Sequence, residues 1–133
     1  MKIELAKTEV IHFVGIGGIG MSGLALIMSR MGFNVQGSDM LINKNIENLK
    51  KDKININIKH TKKNLTKATI VVISSAIKKN NPELAEARKR QLPIYKRGEM
   101  LANIVSLTKN IVVTGSHGKT TTTSLLAAMF FVK

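Results

Sequence analysis

Two glycine-rich loops, one hundred residues apart, most constrain the fold of this 133-residue chain. Residues 15–20 read G-I-G-G-I-G and lie between the apolar run 10–14 and a helical pattern. Residues 115–122 read G-S-H-G-K-T-T-T and lie between the apolar run 111–113 and a second helical pattern. A strand, a glycine turn and a helix in this order bind phosphate groups in parallel α/β proteins. The sequence therefore predicts an α/β fold with two such sites.

The rest of the chain alternates strand-like and helix-like patterns, which predicts a parallel sheet with flanking helices. Gly32 is expected to end the first helix. Isoleucine and asparagine alternate over 54–58, as in a half-buried edge strand. Strands are predicted over 10–14, 34–37, 54–58, 69–73, 93–95 and 111–113, and helices over 19–31, 45–51, 82–90 and 98–107.

Composition excludes several classes of protein. The net charge is +13, from 21 basic against 8 acidic residues, but only five aromatic side chains accompany it. The basic residues therefore lack the stacking platforms of a nucleic-acid-binding module, and no specific nucleic-acid partner is predicted. The chain has no cysteine, no apolar run long enough to span a membrane and no secretory pattern. A cytoplasmic protein without a membrane partner is expected.

The first loop matches the G-x-G-x-x-G pattern of dinucleotide-binding sites. Asp39 follows Gly20 by 19 residues, at the end of the second predicted strand. An acid at that place binds a ribose hydroxyl in NAD sites. Because any pyrophosphate ligand can use the same turn, an NAD-binding oxidoreductase domain is one alternative among several.

The second loop has the shorter form G-x-x-G-K-T, since Val113 occupies the place of the first glycine in the strict P-loop pattern. In such loops the lysine contacts the β- and γ-phosphates, and the following hydroxyl binds Mg²⁺. These roles fall to Lys119 and Thr120, which predicts ATP and Mg²⁺ as cofactors.

Four motifs occur in an order that resembles one family. They are residues 15–23 (G-I-G-G-I-G-M-S-G), 37–39 (G-S-D), 74–77 (S-S-A-I) with 81–84 (N-P-E-L), and 115–122. The chain resembles the N-terminal part of the Mur ligases of peptidoglycan synthesis, among them those that join L-alanine to UDP-N-acetylmuramate. The resemblance extends from about Val10 to Ala128.

The resemblance implies a domain organisation. Residues 1–108 would form a Rossmann-like domain for UDP-N-acetylmuramate, and 109–133 would be the first strand, P-loop and helix of an incomplete ATPase domain. In the whole enzyme ATP phosphorylates the lactyl carboxylate, and the amine of L-alanine displaces phosphate from the acyl phosphate. This chain alone is expected to bind the UDP-sugar without catalysis.

The same resemblance assigns residues to the sites. Residues implied in UDP-sugar binding are Gly17, Gly18, Ile19, Gly20, Met21, Ser38, Asp39, Ser74, Ser75, Ala76 and Ile77. Residues implied in ATP binding are Gly115, Ser116, His117, Gly118, Lys119, Thr120 and Thr121, with Lys119 and Thr120 as the catalytic pair and Thr120 as the metal ligand.

Several other residues have open assignments. His12 is expected to be structural, whereas His60 and Arg97 are candidates for ligand contact. Two residues depart from the family pattern: Ser116 replaces a threonine, and Lys59 stands where glycine is usual.

The end of the chain carries an apolar helical pattern, which is expected to be weakly anchored, to lie on the first domain or to mediate self-association. Its residues are Leu125, Leu126, Met129, Phe130 and Phe131. The Lys/Asn/Ile bias of the sequence leaves a further alternative, a non-functional remnant of a ligase gene.

Overall fold

The structure, a computed structural model, describes the backbone of residues 5–114 and the side chains of residues 5–108. Its strands are β1 (Val10–Val14), β2 (Asn34–Asp39), β3 (Asn55–Ile58), β4 (Ile70–Ile73) and β5 (Ile94–Lys96). Its helices are α1 (Ile19–Arg30), α2 (Lys44–Lys51), α3 (Pro82–Lys89) and α4 (Arg97–Thr114), with a 3₁₀ turn at Lys62–Leu65. The predicted α/β class with a parallel sheet and flanking helices is confirmed.

The described strands form one parallel sheet in the order β3-β2-β1-β4-β5. The chain moves outward from β1 through β2 to β3, then crosses to the other side of β1 for β4 and β5. The carboxyl ends of all five strands consequently share one edge, and the order reverses between β1 and β4. Ligands of open α/β sheets bind beside such a reversal point.

Both faces of the sheet are covered, which explains the nearly continuous apolar character of β1 and β4. A larger cluster contains Ile11 and Phe13 of β1 together with the buried side of α1 and residues of α2 and α4. A smaller cluster contains Val14, Leu65 and Ala87. α1 accordingly lies beside α2 and α4, and α3 lies beside the 3₁₀ turn.

Local signals position the helices. Asn43 caps α2 by accepting a hydrogen bond from the backbone N–H of Ile46 at 2.9 Å. Asn81 caps α3 by accepting from the N–H of Glu83 at 2.8 Å, and Pro82 supplies the first helical residue. Gly32, with a φ of 99°, follows the end of α1 as predicted. Both asparagine caps lie beside the carboxyl edge of the sheet.

The prediction of a strand at residues 111–113 is wrong, because α4 continues without interruption from Arg97 to Thr114. Lys109 and Asn110 are part of this helix as well. A strand is stable only beside a partner strand, and none of the five described strands pairs with 111–113. A helix instead satisfies the backbone hydrogen bonds of this segment locally. The predicted domain boundary near residue 108 therefore lies inside a helix and stays a prediction.

The second glycine loop, residues 115–122, and the apolar residues after it lie outside the described residues. Their predicted roles stay predictions. Within residues 5–114, no helix has both the length and the apolar character needed to cross a membrane.

We expect the Gly37→Ala change to destabilise the fold by roughly 1–3 kcal/mol. A Cβ at this position would lie 2.5 Å from Ile16 Cδ1 and 2.9 Å from the carbonyl oxygen of Phe13, inside the core. The matched control is Gly98→Ala in α4, where nothing lies within 4 Å of the new Cβ. That change should stabilise the helix slightly. Urea unfolding of both variants measures the difference, and equal stabilities would contradict the packing of Gly37.

Candidate functional site

A cleft of about 750 Å³ opens at the carboxyl edge of the sheet, beside the reversal point between β1 and β4. Its walls come from the carboxyl ends of four strands: residues 15–18 after β1, residues 39–43 from the last residue of β2 onward, residues 59–60 after β3 and residues 74–82 after β4. These segments are far apart in sequence and meet because parallel strands end at one edge. The cleft is the candidate site for a small-molecule ligand.

The glycine loop after β1 is hydrogen-bonded to β2 and packs against the segment after β4. The N–H groups of Gly15 and Ile16 donate to the carbonyl oxygen of Ser38 at 2.9 and 3.0 Å. Gly15 has a φ of +84°, and a Cβ there would lie 3.3 Å from Ile77 and 3.4 Å from Ser74 Oγ. The loop therefore needs glycine for its conformation, and it packs directly against the segment after β4.

Asp39 holds the glycine loop from the opposite side. Its Oδ2 accepts from the N–H of Gly17 at 2.7 Å, and its Oδ1 accepts from the N–H of Met40 at 2.7 Å. The carbonyl oxygen of Gly17 accepts from the side-chain amides of Asn43 and Asn45 at 3.1 and 3.0 Å. Both the N–H and the carbonyl group of Gly17 are thus held by hydrogen bonds.

This close approach explains the glycine. A Cβ at Gly17 would lie 2.8 Å from Asp39 Oδ2 and 3.0 Å from the Ile46 side chain. Asp39 therefore shapes the loop. Each of its carboxylate oxygens accepts one backbone N–H, which leaves a further acceptor position on both oxygens.

The N-terminus of α1 follows this loop. Its N-cap is Gly18, which provides no side-chain cap to the first N–H groups of the helix. Arg97, at the start of α4, packs beside it: a Cβ on Gly20 would lie 2.9–3.1 Å from the Arg97 side chain. A helix N-terminus attracts anions. The guanidinium group of Arg97 strengthens that attraction.

The cleft itself carries more positive than negative charge. Lys59 and Lys78 are the cations among its lining residues, and Asp39 is the acidic residue there. Asp39 moreover accepts one backbone N–H at each carboxylate oxygen, which partly offsets its charge. An anionic ligand is the chemical class that fits this arrangement.

Behind the cleft lies a buried carboxylate, that of Glu83 in the first turn of α3, with a fully buried side chain. Oε1 accepts from the Ser38 hydroxyl at 2.6 Å and lies 2.7 Å from His12 Nε2. Oε2 accepts from Asn64 Nδ2 at 2.6 Å and from the N–H of Thr61 at 3.1 Å. A buried charge requires such partners, and here they come from three separate segments: β1, β2 and the segment after β3.

His12 is structural, as expected from the sequence. Its side chain is fully buried in β1, and the Gln36 amide nitrogen lies 2.8 Å from its Nδ1. That amide also donates to the carbonyl oxygen of Asn64 at 2.8 Å, so it is the donor in both contacts. Nδ1 of His12 is consequently the acceptor, and Nε2 carries the proton that Glu83 accepts.

The pKa of Glu83 reflects this environment. Burial alone would raise it, but the hydrogen bond and electrostatic attraction of His12, followed by the hydrogen bonds of Ser38 and Asn64, hold the pKa of Glu83 below its usual value of 4.5. The carboxylate is therefore ionised at neutral pH.

The structure brings together six of the residues predicted to bind the UDP-sugar. Those on the cleft walls are Gly17, Gly18, Asp39, Ser74, Ala76 and Ile77. Ile19 and Gly20 lie in the first turn of α1, with Ile19 exposed. The Met21 side chain packs in the core, Ser38 is buried against Glu83, and Ser75 is exposed outside the cleft walls.

Sequence reasoning missed the role of Glu83 and the cleft positions of Met40, Asn43, Lys78 and Asn81. The signal for Glu83 was present, since it lies within the N-P-E-L motif. An acid in the first turn of a helix is nevertheless ordinary, because it suits the helix dipole. Nothing local indicated that its side chain turns inward.

The Mur ligase family, catalytic domain, matches residues 10–109 of this chain. That range contains the whole sheet and every segment of the cleft. The chain belongs to the Mur ligase family.

Two curated relatives illustrate the match. This Mur ligase chain is 87% identical over 130 residues to the UDP-N-acetylmuramate–L-alanine ligase of Pelagibacter ubique, covering 98% of this chain and 28% of that protein. It is 52% identical over 132 residues to the enzyme of the same name from Rickettsia bellii, covering 96% of this chain and 28% of that protein. The chain thus spans little more than a quarter of the length of these relatives.

Solved structures show the same fold. The UDP-N-acetylmuramate-alanine ligase of Thermotoga maritima aligns with a TM-score of 0.73 at 35% identity, over 75% of this chain and 23% of that one. The UDP-N-acetylmuramate:L-alanyl-γ-D-glutamyl-meso-diaminopimelate ligase of Neisseria meningitides aligns with a TM-score of 0.63 at 28% identity, over 68% and 29%. The second has both the lower TM-score and the lower identity.

We expect the Lys59→Gly change to stabilise the fold by about 1 kcal/mol. Lys59 has a φ of 136°, in a region that favours glycine, and its N–H donates to the carbonyl oxygen of Asp39 at 2.7 Å. The matched control is Lys59→Ala, which removes the same charge but keeps a Cβ. Thermal unfolding should show a gain for glycine alone; an equal gain for alanine would attribute the effect to charge.

Glu83 should make stability depend on pH in the acid range. Because folding lowers its pKa, the carboxylate contributes stability above the unfolded value of about 4.5, and this contribution is lost as pH falls through the lower folded pKa. Glu83→Gln should cost roughly 2 kcal/mol at neutral pH, since its amide opposes the donors Asn64 and Thr61. Urea unfolding from pH 7 to pH 3 should show a shallower loss in the variant. Parallel profiles would contradict this role.

Proposed function

We propose that this chain forms the UDP-N-acetylmuramate-binding part of a ligase that joins L-alanine to that sugar nucleotide in peptidoglycan synthesis. The observation that carries the proposal is the cleft at the reversal point of the sheet, with the glycine loop on one wall and positive charge around it. The names of the relatives supply the substrate, and the cleft supplies a chemically suitable place for it.

Each part of a sugar nucleotide has a counterpart in the site. The pyrophosphate would lie against the Gly18 end of α1, where the helix dipole and Arg97 favour an anion. The nucleoside would lie toward Asp39 and Met40, and the sugar toward Ser74 and the segment that follows it. Lys59 and Lys78 would offset the remaining negative charge.

ATP, Mg²⁺ and L-alanine belong to the proposal for the whole enzyme. Lys119 would contact the phosphates and Thr120 the metal ion, within a loop formed by residues 115–121. ATP would supply the phosphoryl group that activates the lactyl carboxylate. All these residues lie outside the described part of the chain, so the proposal for them rests on the sequence motif. Self-association through residues 125–131 has the same basis and stays a prediction.

Calorimetric titration of the 133-residue chain with UDP-N-acetylmuramate, ATP–Mg²⁺ and NAD⁺ tests the function. Binding of the UDP-sugar is the expected result. Binding of NAD⁺ in its place would favour an oxidoreductase domain. An absence of binding by every ligand would favour a non-functional remnant of a ligase gene.

A pair of lysine variants localises the binding. Lys78→Ala removes a cation from the cleft wall and should weaken the UDP-sugar roughly threefold to fivefold. Lys89→Ala removes the same charge from the last turn of α3, the end of that helix remote from the cleft, and should leave affinity unchanged. Both side chains are exposed, so neither change should disturb the fold. Equal effects would indicate that only net charge matters.

A further inference from the structure

His60 lies where the cleft meets the buried cluster of Glu83. It follows β3, contributes to the cleft wall, and keeps only 10% of its side chain exposed. Its Nδ1 lies 2.9 Å from Ser38 Oγ and 3.6 Å from Glu83 Oε2. One edge of the imidazole is therefore held by the protein interior.

The direction of each hydrogen bond follows from the partners. The Ser38 hydroxyl has one proton, and it donates that proton to Glu83 Oε1 at 2.6 Å. Ser38 Oγ is consequently an acceptor toward His60, and Nδ1 of His60 must carry a proton. In the neutral imidazole, Nε2 is then the bare nitrogen and accepts hydrogen bonds.

Glu83 fixes the direction of these hydrogen bonds. An ionised carboxylate only accepts, so the Ser38 proton points at Glu83 and cannot turn toward His60. Glu83 is in turn fixed by His12, Asn64 and the backbone of Thr61. The order of donation is His60 to Ser38 to Glu83, and it begins at the cleft.

We propose that Ser38 and Glu83 position His60 as a binding residue whose Nε2 accepts a hydrogen bond from the nucleoside of the ligand. This inference rests on the proposed function and deepens it. Uridine, the nucleoside of this ligand, offers two kinds of hydrogen-bond donor: the N3–H of the base and the hydroxyl groups of the ribose. Both are hydrogen-bond donors, as the bare nitrogen requires.

The tautomer can be measured without any ligand. Nitrogen-15 NMR of the histidine rings of the full chain, at a pH near 8 and so above the usual histidine pKa of about 6.5, separates protonated from bare ring nitrogens. His60 is expected to show a protonated Nδ1 and a bare Nε2. A protonated Nε2 with a bare Nδ1 would overturn the proposal.

The dependence on Ser38 is tested by Ser38→Ala. This change removes the acceptor for Nδ1 and should shift His60 toward a mixture of tautomers, while His12 keeps its Nε2 proton through Gln36 and Glu83. His12 is thus an internal control in the same spectrum. An unchanged His60 tautomer would overturn the positioning role of Ser38. If the variant does not fold, Ser38→Thr, which keeps the hydroxyl, should retain the wild-type tautomer.

Binding is tested with UDP as the probe. His60→Ala should weaken UDP about tenfold, whereas His60→Gln, whose amide offers both a donor and an acceptor, should recover part of the loss. Inorganic pyrophosphate, which has no nucleoside, should bind all three proteins equally. A loss for pyrophosphate equal to that for UDP would overturn the proposed nucleoside contact.

Two analogues distinguish the donors. The wild type should bind either 3-methyl-UDP or 2′-deoxy-UDP less tightly than UDP, and His60→Ala should bind that analogue and UDP alike. An analogue penalty that persists in His60→Ala would overturn the contact. Absence of UDP binding by the wild type would contradict the proposed function itself, whereas UDP binding that is unaffected by His60→Ala contradicts only this inference.

Discussion

The buried carboxylate of Glu83 is the interaction on which the geometry of the site depends. It joins the first turn of α3 to β1 through His12, to β2 through Ser38, and to the segment after β3 through Thr61 and Asn64. A buried charge tolerates little displacement, because each lost hydrogen bond leaves it less compensated. The walls of the cleft are therefore held at fixed distances by a group that does not itself line the cleft.

The glycine loop depends on a second close contact at the same edge. Asp39 accepts the N–H of Gly17, and there is no room for a Cβ between them. The acid that sequence reasoning associated with a ribose thus acts first on the loop. The N-terminal end of α1 is consequently shaped by β2 as well as by the strand that precedes it. The part of the cleft at Gly17 and Gly18 is thereby connected directly to the part at Asp39 and Met40.

Much of the fold was predictable because its signals are local. Apolar runs and the glycine turns placed the five described strands and the first three helices within a few residues of their observed bounds, whereas α4 extends seven residues beyond its predicted end at 107. The strand predicted at 111–113 was wrong for the corresponding reason: an apolar run is compatible with a strand or a helix, and the choice depends on a partner strand. The six predicted residues that line the cleft could be predicted because they lie in short sequence motifs, whose residue types reflect the backbone geometry of the turns.

The sequence by itself determined the parallel α/β class, the glycine loop before α1 and the resemblance to the Mur ligases, since each is expressed in short segments. Only the tertiary structure decided that Glu83 turns inward, that Ser38 lies behind the cleft, and that His60 stands between them. His12 and Glu83 are 71 residues apart in the chain. Their contact follows from the order of strands in the sheet. Burial strengthens the contact, and no local sequence pattern indicates that burial.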